Sequence, residues 1–357
     1  MPKSPAVTLA DVARRAAVSV QTASRVANNR GETSAETRAH VLRVIAELGY
    51  RPNGVARSLR ARSTHTIGIL VPDITNPFFP GLFRGAEDEA GAAGYAIFLG
   101  DVVEDVTREA AMLGVMEDHR VDGVIVCSAR QSDAELLAGL RRHRAAVVIN
   151  RTAPSDLAGV VRVDYRQAAA AAVEHLADVG CRTLAYVGGP GTSRGGAERA
   201  EGFESALRRL GLVMRDERRV QAEPTIEGGY QATSLLLRRS PTIDGLFCYN
   251  DLVAAGCMAA CTQAGRRVPD DIAVVGCDDI SFAALFSPSL TTLRVPTYDM
   301  GRVAVRLLLE RANGVTNQPS MLFPTELVRR GSTRRQPPEQ RLSRTTTRET
   351  TSPVGDG

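Results

Sequence analysis

Residues 8–59 read TLADVARRAAVSVQTASRVANNRGETSAETRAHVLRVIAELGYRPNGVARSL, and three short helical patterns follow one another along this run. Each opens on a hydroxyl residue able to accept from the free N–H groups of a first helical turn. Thr8 starts the first, with Asp11 three positions on as its capping-box partner and Leu9, Val12, Ala13 and Ala16 on one face. Ser19 starts the second. The brief connection Ala16-Ala17-Val18 leaves room only for a sharp, tightly packed corner of the helix-turn-helix kind. Ser34 starts the third helix, whose apolar stripe of Val41, Leu42, Ile45 and Leu48 is expected to close a miniature core before Gly49 ends it.

The second helix keeps Val20, Gln21, Thr22 and Arg25 free of that core. Gln and Arg can make paired hydrogen bonds to adenine and guanine edges in the major groove, so this is the expected recognition helix. Charge points the same way. Residues 1–65 hold eleven Lys or Arg against four Asp or Glu, a net of +7, whereas residues 66–331 hold 28 against 33, a net of −5. One end of the molecule suits a polyanion.

The run also resembles the DNA-binding headpiece of the lactose-repressor (LacI/GalR) family of bacterial transcription regulators. The matching text is T-L-x-D-V-A at Thr8–Ala13, V-S-x-x-T-x-S-R-V-x-N at Val18–Asn28, S-x-x-T-R at Ser34–Arg38 and L-G-Y-x-P-N-x-V-A-R-S-L at Leu48–Leu59. Two departures stand out: Ala17 takes a turn position where the family usually has Gly, and Ala23 replaces the usual Val. Both are small apolar swaps that loosen packing and keep the fold. The resemblance implies DNA contacts at Thr8, Ser19, Val20, Gln21, Thr22, Arg25, Asn28, Ser34, Thr37 and Asn53. It also implies that residues 52–65 form a hinge helix and linker. Asn53–Arg62 is a weak helix pattern, too short to be stable alone in water. In the family such a segment pairs with its dimer mate in the minor groove; the intercalating leucine falls on Leu59, with Ala56 on the same face, and an apolar wedge of this kind kinks DNA.

The chain has 357 residues and 43% hydrophobic content, enough for a headpiece over residues 1–51 and a body of about 270 residues. No apolar run approaches the roughly 20 residues needed to cross a bilayer, and the start MPKSPAVTLADV lacks a secretory h-region. A cytoplasmic protein with six reduced cysteines is therefore expected. None forms a CxxC pair, and Cys257 and Cys261 read as small core residues, not metal ligands.

From Thr66 the texture changes. TIGILVP, YAIFLG, DGVIVC and AAVVIN read as buried parallel strands separated by helices, and LAYVGG, DGLFCYN and IAVVGC repeat the pattern after Val163. Two successive α/β units imply two doubly wound lobes. The resemblance implies a periplasmic-binding-protein-like α/β core whose chain crosses between lobes more than once, LTTLRVPTYDMGRVAVRLLLERANG rejoining the first lobe near residue 290. The expected first lobe is about 66–163 plus 290–320, and the second about 164–289 plus 321–331. Residues 332–357 lack periodicity and read as a disordered tail without a tetramer-forming leucine heptad, which favours a homodimer.

Ligands of open α/β sheets sit beyond the carboxyl ends of the strands. There the sequence places Asn76, Phe78 and Phe79, then Asn150 and Arg151, then Asn250 and Asp251, and then Asp278, with Arg199 in the helix start after LAYVGG. Amide, guanidinium and carboxylate groups with an aromatic platform suit a polyhydroxylated ligand such as a sugar. Asp251 reads as a helix cap in preference to a contact. The resemblance implies effector contacts at Asn76, Phe79, Arg151, Arg199, Asn250 and Asp278, with Phe78 and Asn150 beside them; Asn150, where Asp is frequent, and Val295, where some relatives carry a polar side chain, are departures. Gly188–Gly196 lacks the ending and spacing of a nucleotide loop and reads as a mobile loop beside the pocket.

Three functions fit two lobes. A secreted sugar-binding protein would need a signal peptide and no helix-turn-helix. An enzyme on a DNA anchor would need a catalytic constellation, yet five histidines and no G-x-S-x-G or H-E-x-x-H offer none, nor any cofactor motif. The remaining class is a ligand-responsive transcription regulator, most simply a repressor, whose dimer binds a palindromic double-stranded operator.

Overall fold

The computed structural model describes residues 7–28, 31–50 and 63–334. They fall into two compact units divided between His65 and Thr66. In the first unit, α1 (Leu9–Arg15), α2 (Val20–Ala27) and α3 (Ala35–Leu48) each begin on the hydroxyl read from the sequence. Thr8 Oγ1 accepts from Asp11 N at 3.3 Å while the Asp11 carboxylate accepts from Thr8 N at 2.9 Å. Ser19 and Ser34 accept from Thr22 N and Thr37 N at 3.0 and 3.2 Å. Gly49 ends α3 at φ +62°, a left-handed cap.

Val12, Ala13, Ala16, Ala23, Val26, Val41 and Val44 form the headpiece core, with Ile45 and Leu48 packed on it. Leu42, expected in this stripe, is 46% exposed. At 100° per residue, Val41, Val44, Ile45 and Leu48 share a face, and Leu42 is turned off it. The turn explains the other departure. Ala17 sits at φ +51°, a left-handed conformation that its Cβ disfavours.

The second unit holds two six-stranded sheets. The first lobe orders β11-β5-β4-β3-β1-β2, all parallel, from β1 (Thr66–Val71), β2 (Ala96–Asp101), β3 (Gly123–Cys127), β4 (Ala146–Ile149), β5 (Gly159–Val163) and β11 (Met321–Phe323). The second orders β12-β10-β9-β8-β6-β7, from β6 (Leu184–Gly188), β7 (Arg219–Gln221), β8 (Gly245–Cys248), β9 (Ala273–Asp278), β10 (Thr291–Arg294) and β12 (Glu326–Val328), the last antiparallel to β10. The central strands are buried Val, Ile and Leu runs because helices cover both faces.

Helices α4 (Phe78–Ala92), α5 (Val106–Asp118), α6 (Asp133–Leu140) and α11 (Thr297–Ala312) belong to the first lobe; α7 (Tyr165–Asp178), α8 (Arg194–Arg209), α9 (Ile226–Arg239) and α10 (Asp251–Gln263) belong to the second. Helices pack backbone to backbone in both lobes. A Cβ on Gly301 would stand 2.0 Å from Leu82 O, and one on Gly256 2.0 Å from Ile226 O, so only glycine permits α4–α11 and α9–α10 to approach this closely. One continuous buried cluster runs from Ile67, Leu82 and Ile149 through Val163 and Tyr165 to Phe203 and Phe247. The hinge between the lobes is apolar inside.

The chain crosses between the lobes after β5, after β10 and after β11. Two expected boundaries move. Thr291–Arg294 pairs with β9 in the second lobe, so the return comes at 295, because buried Thr291, Thr292 and Leu293 complete that sheet before the helical pattern starts. Met321–Phe323 pairs with β5 in the first lobe, so the last crossing falls after Phe323. The expected tail also starts too early: Ser332 and Thr333 are buried. Ser332 Oγ donates to Val274 O at 2.6 Å, and Thr333 Oγ1 is 2.8 Å from both His175 Nε2 and Thr291 Oγ1. Residues 335–357 lie outside the described residues.

Replacing Ala17 with Gly removes a left-handed alanine at the cost of a more flexible unfolded chain, for a net stabilisation of about 0.5–1 kcal/mol. Native-state hydrogen exchange of headpiece amides in the full chain measures it; slower exchange by that increment is expected, and faster exchange would contradict it.

Candidate functional site

On α2, Gln21 and Arg25 are exposed and one helical turn apart, and Val20 beside them is 51% exposed. This leaves an amide, a guanidinium and an apolar side chain on one outward face, a set suited to base edges and a thymine methyl. Thr22 is half-buried and 2.9 Å from Ser19 Oγ. Thr8, Ser19, Ser34 and Thr37 cluster at helix N-termini, where backbone N–H groups also favour phosphate. Asn28 is partly occupied: its Nδ2 donates to Ser24 O at 2.8 Å at the end of α2. Asn53, Ala56 and Leu59 lie outside the described residues.

The second site is a cleft where strand ends of both lobes converge. Asn76, Phe78 and Phe79 follow β1, Ser128 and Arg130 follow β3, and Asn150 follows β4; Tyr165, Arg199, Tyr249, Asn250 and Asp278 come from the second-lobe side. The free space inside the cleft is about 30 Å³, and about 460 Å³ when the open mouth is counted. Its centre is narrow, so a sugar-sized ligand has to part the lobes or displace side chains. Ser128, Asn150 and Asp278 leave their strands at φ +49°, +57° and +118°. Strained backbone of this kind gathers at binding sites.

Arg199 is the centre of the cleft. Its guanidinium carbon stands 3.5 Å from the ring centroid of Tyr165 and 4.7 Å from that of Tyr249, and Nη2 donates to Cys277 Sγ at 3.5 Å. Asp278 is 3.9 Å away, beyond hydrogen-bond reach. Among the described residues, Arg199 Nε and Asp278 Oδ1 are buried with no hydrogen-bond partner. Such groups are costly to leave unmet and suit a ligand that brings both acceptor and donor hydroxyls. Burial pushes the Asp278 carboxyl up to about 7, with Arg199 and Cys277 pulling it back.

The three asparagines line the cavity and also hold backbone. Asn76 Oδ1 accepts from Phe78 N at 3.1 Å; Asn150 bridges Val163 N and Tyr165 Oη at 3.3 Å each; Asn250 Oδ1 accepts from Val253 N at 2.8 Å as the cap of α10. Asp251, expected to cap that helix, instead accepts from Ile280 N at 2.9 Å and Thr292 Oγ1 at 2.5 Å. Phe78 and Phe79 meet edge to face at 5.1 Å and serve both core and cavity wall.

Arg151 is the exception among the expected effector residues. It does not line the cavity; Ala129 O, Gln131 O and Asp133 Oδ1 take its guanidinium at 2.7, 2.8 and 2.5 Å. The loop it fastens carries Arg130, which faces the cavity with Nε and Nη2 held by Glu104 at 2.5 and 3.0 Å. Tyr165, Tyr249, Arg130 and Glu104 escaped the sequence reading. Tyr249 stands directly after a strand, so the rule that found Asn250 could have found it. Gly188–Gly196 is also not a loose loop throughout: Gly195 and Gly196 lie in the first turn of α8. A Cβ on Gly189 would stand 2.5 Å from the Tyr249 ring, and one on Gly195 3.0 Å from Tyr165. These glycines let the rings close on Arg199. Cys257 and Cys261 are buried in the second-lobe core, and no metal-binding group of His, Cys, Asp or Glu occurs among the described residues.

The raised Asp278 has a measurable sign. Between the unfolded value of 3.8 and about 7, the folded chain keeps a proton that the unfolded chain has lost, so this group's contribution to stability falls as pH rises through that window. Asp278→Asn removes the slope, and its stability relative to the parent should grow by at most about 1.4 kcal/mol per pH unit there. Denaturant unfolding of both proteins across that range tests it; parallel curves would refute the assignment.

Residues 8–53 match the family described as "Bacterial regulatory proteins, lacI family", and residues 173–333 match "Periplasmic binding protein-like domain". The ribose operon repressor of Halalkalibacterium halodurans is 37% identical over 338 residues, covering 92% of this chain and 97% of that protein. The structure of the Lac repressor dimer bound to operator and the anti-inducer ONPF aligns with a TM-score of 0.84 at 27% identity, over 92% of this chain and 99% of that one. A LacI family transcriptional regulator from Enterococcus faecium with bound ribose aligns with a TM-score of 0.66 at 29% identity, over 75% of this chain and 98% of that one. With a capped helix-turn-helix unit ahead of a two-lobed cleft, and a relative aligned along nearly its whole length, this chain belongs to the lacI family of bacterial regulatory proteins, which are DNA-binding transcriptional regulators.

Proposed function

We propose that the protein is a repressor that binds a palindromic operator as a homodimer through α2, and that a sugar or sugar derivative in the cleft sets its affinity for DNA. It acts by binding and not by catalysis, in the cytoplasm where its operator is; no helix among the described residues is long and apolar enough to cross a membrane. The observation that carries the ligand class is Arg199, stacked between two tyrosines with Nε unmet, beside an unmet oxygen of Asp278. Adjacent hydroxyls of a sugar can accept from the first and donate to the second. Ribose in the E. faecium regulator and the name of the H. halodurans relative support that class.

The DNA contacts are Gln21 and Arg25 on base edges, Val20 beside them, and Thr8, Ser19, Thr22, Asn28, Ser34 and Thr37 on phosphates, with Asn53, Ala56 and Leu59 in the hinge. In the cleft Asn76, Phe78, Phe79, Asn150, Asn250, Arg199 and Asp278 contact the effector, and Arg130 takes the part first given to Arg151. A ligand that bridges the lobes changes the angle between them, and it alters DNA binding only as far as it prefers one arrangement.

Two measurements test this reading. DNA retained by the full chain is selected from a random library and sequenced, with and without D-ribose, cellobiose and other sugars, while calorimetry follows each sugar's binding. A palindromic site whose retention changes with a bound sugar is expected; absence of any saturable sugar would end the sugar reading. On the selected site, Gln21→Ala or Arg25→Ala should cost about 1–3 kcal/mol and leave random-DNA binding nearly intact. Equal losses on both DNAs would reassign these side chains to phosphate.

A further inference from the structure

The second-lobe wall of the cleft ends in two consecutive left-handed aspartates, Asp278 at φ +118° and Asp279 at +57°. Their side chains do different things. Asp278 lines the cavity beside Arg199, and its own carbonyl accepts from Val295 N at 3.4 Å. Val295 is the first residue after β10, where the chain leaves the second lobe for α11 of the first. Asp279 is not part of the cavity wall. Its Oδ2 accepts from Arg294 Nε at 2.7 Å and its Oδ1 from Arg330 Nη2 at 2.6 Å, while its N–H donates to Thr292 Oγ1 at 3.4 Å. Arg294, the last residue of β10, also donates from Nη1 to Glu326 at 2.9 Å, and Glu326 opens β12 just after the last crossing.

One carboxylate and one guanidinium thus fasten two of the three lobe crossings to the residue next to Asp278. Aspartate tolerates a left-handed backbone better than most residues, and at Asp279 charge-assisted hydrogen bonds to Arg294 and Arg330 hold it there. A displacement of Asp278 acts directly on a neighbour whose carboxylate is held by Arg294 and Arg330. We propose that Asp279 and Arg294 are positioning residues that carry a movement of the Asp278 side chain, imposed by a ligand in the cleft, to the crossings at 295–297 and 324–326. The proposal rests on the reading of the cleft as the effector site. It goes further by assigning the transmission to residues that touch no ligand.

Neighbours in one hydrogen-bonded cluster couple even when their role is merely structural, so the discriminating readout is whether the conservative Arg294→Lys keeps the coupling that Arg294→Ala loses. The test is a double-variant cycle on the full chain, without ligand, read by hydrogen exchange of peptides spanning 290–300 and 322–330. Asp278→Ala alone should speed exchange at both crossings by about fivefold or more, the lower end of ordinary coupling between sites. In an Arg294→Ala or Asp279→Asn background the same change should add less than about twofold, whereas an Arg294→Lys background, which keeps the charge, should preserve most of the effect. Additivity within about twofold, crossings unmoved by Asp278→Ala, or an Arg294→Lys background that loses the effect as Arg294→Ala does, would overturn the proposal. If Asp279→Asn unfolds the second lobe, half-exposed Arg294 supplies the same cycle from the solvent side. Because no sugar is needed, failure to find a sugar ligand leaves this result readable.

Discussion

A guanidinium taken out of water has to be compensated on every side, and the cleft is arranged around that demand at Arg199. Two tyrosine faces and a cysteine sulfur meet part of it. Cation–π contact is worth more when desolvated, yet it leaves the in-plane N–H of Nε without an acceptor. Asp278 is close enough to feel the charge and too far to bond it. The pair is therefore held apart in an unfinished arrangement that a polar ligand can complete.

The fold supplies this arrangement from a distance. Tyr165 begins α7 directly after the first lobe crossing, Tyr249 follows β8, and Arg199 lies one turn inside α8. All come to the carboxyl edge of the sheets because parallel strands deliver their ends to one side. The price is glycine at Gly189, where a side chain would strike the Tyr249 ring, and at Gly195, where it would crowd the Tyr165 ring. Across the cleft, Arg130 is presented by Glu104, so each lobe contributes one buried arginine to the cavity.

What the sequence makes legible is what depends on neighbours in the chain. Thr8, Ser19 and Ser34 cap their helices within three residues, so spacing alone locates them. Strand ends with Asn76, Asn250 and Asp278 follow from apolar runs in the same way. Leu42 was misplaced by a face error of one residue, and β10 was hidden because Thr291–Arg294 runs straight toward a strong helical pattern. Arg130 against Arg151 is a different kind of miss. Both follow a strand, and which one enters the cavity is decided by where Ala129 O, Gln131 O and Asp133 happen to stand, a matter of tertiary placement.

The backbone-close pairing of α4 with α11 also bears on how the chain is made. The first of these helices is complete at residue 92 and its partner only at 312, with most of the second lobe between them. At ribosomal speed the glycine-lined face of α4 waits on the order of ten to forty seconds for its cover. During that interval the second lobe can lay down β6 to β9 while the first lacks both a helix and its edge strand β11. Vectorial synthesis therefore finishes the lobe that begins first after most of the lobe that begins second, and a chain stopped near residue 296 would leave the earlier lobe open.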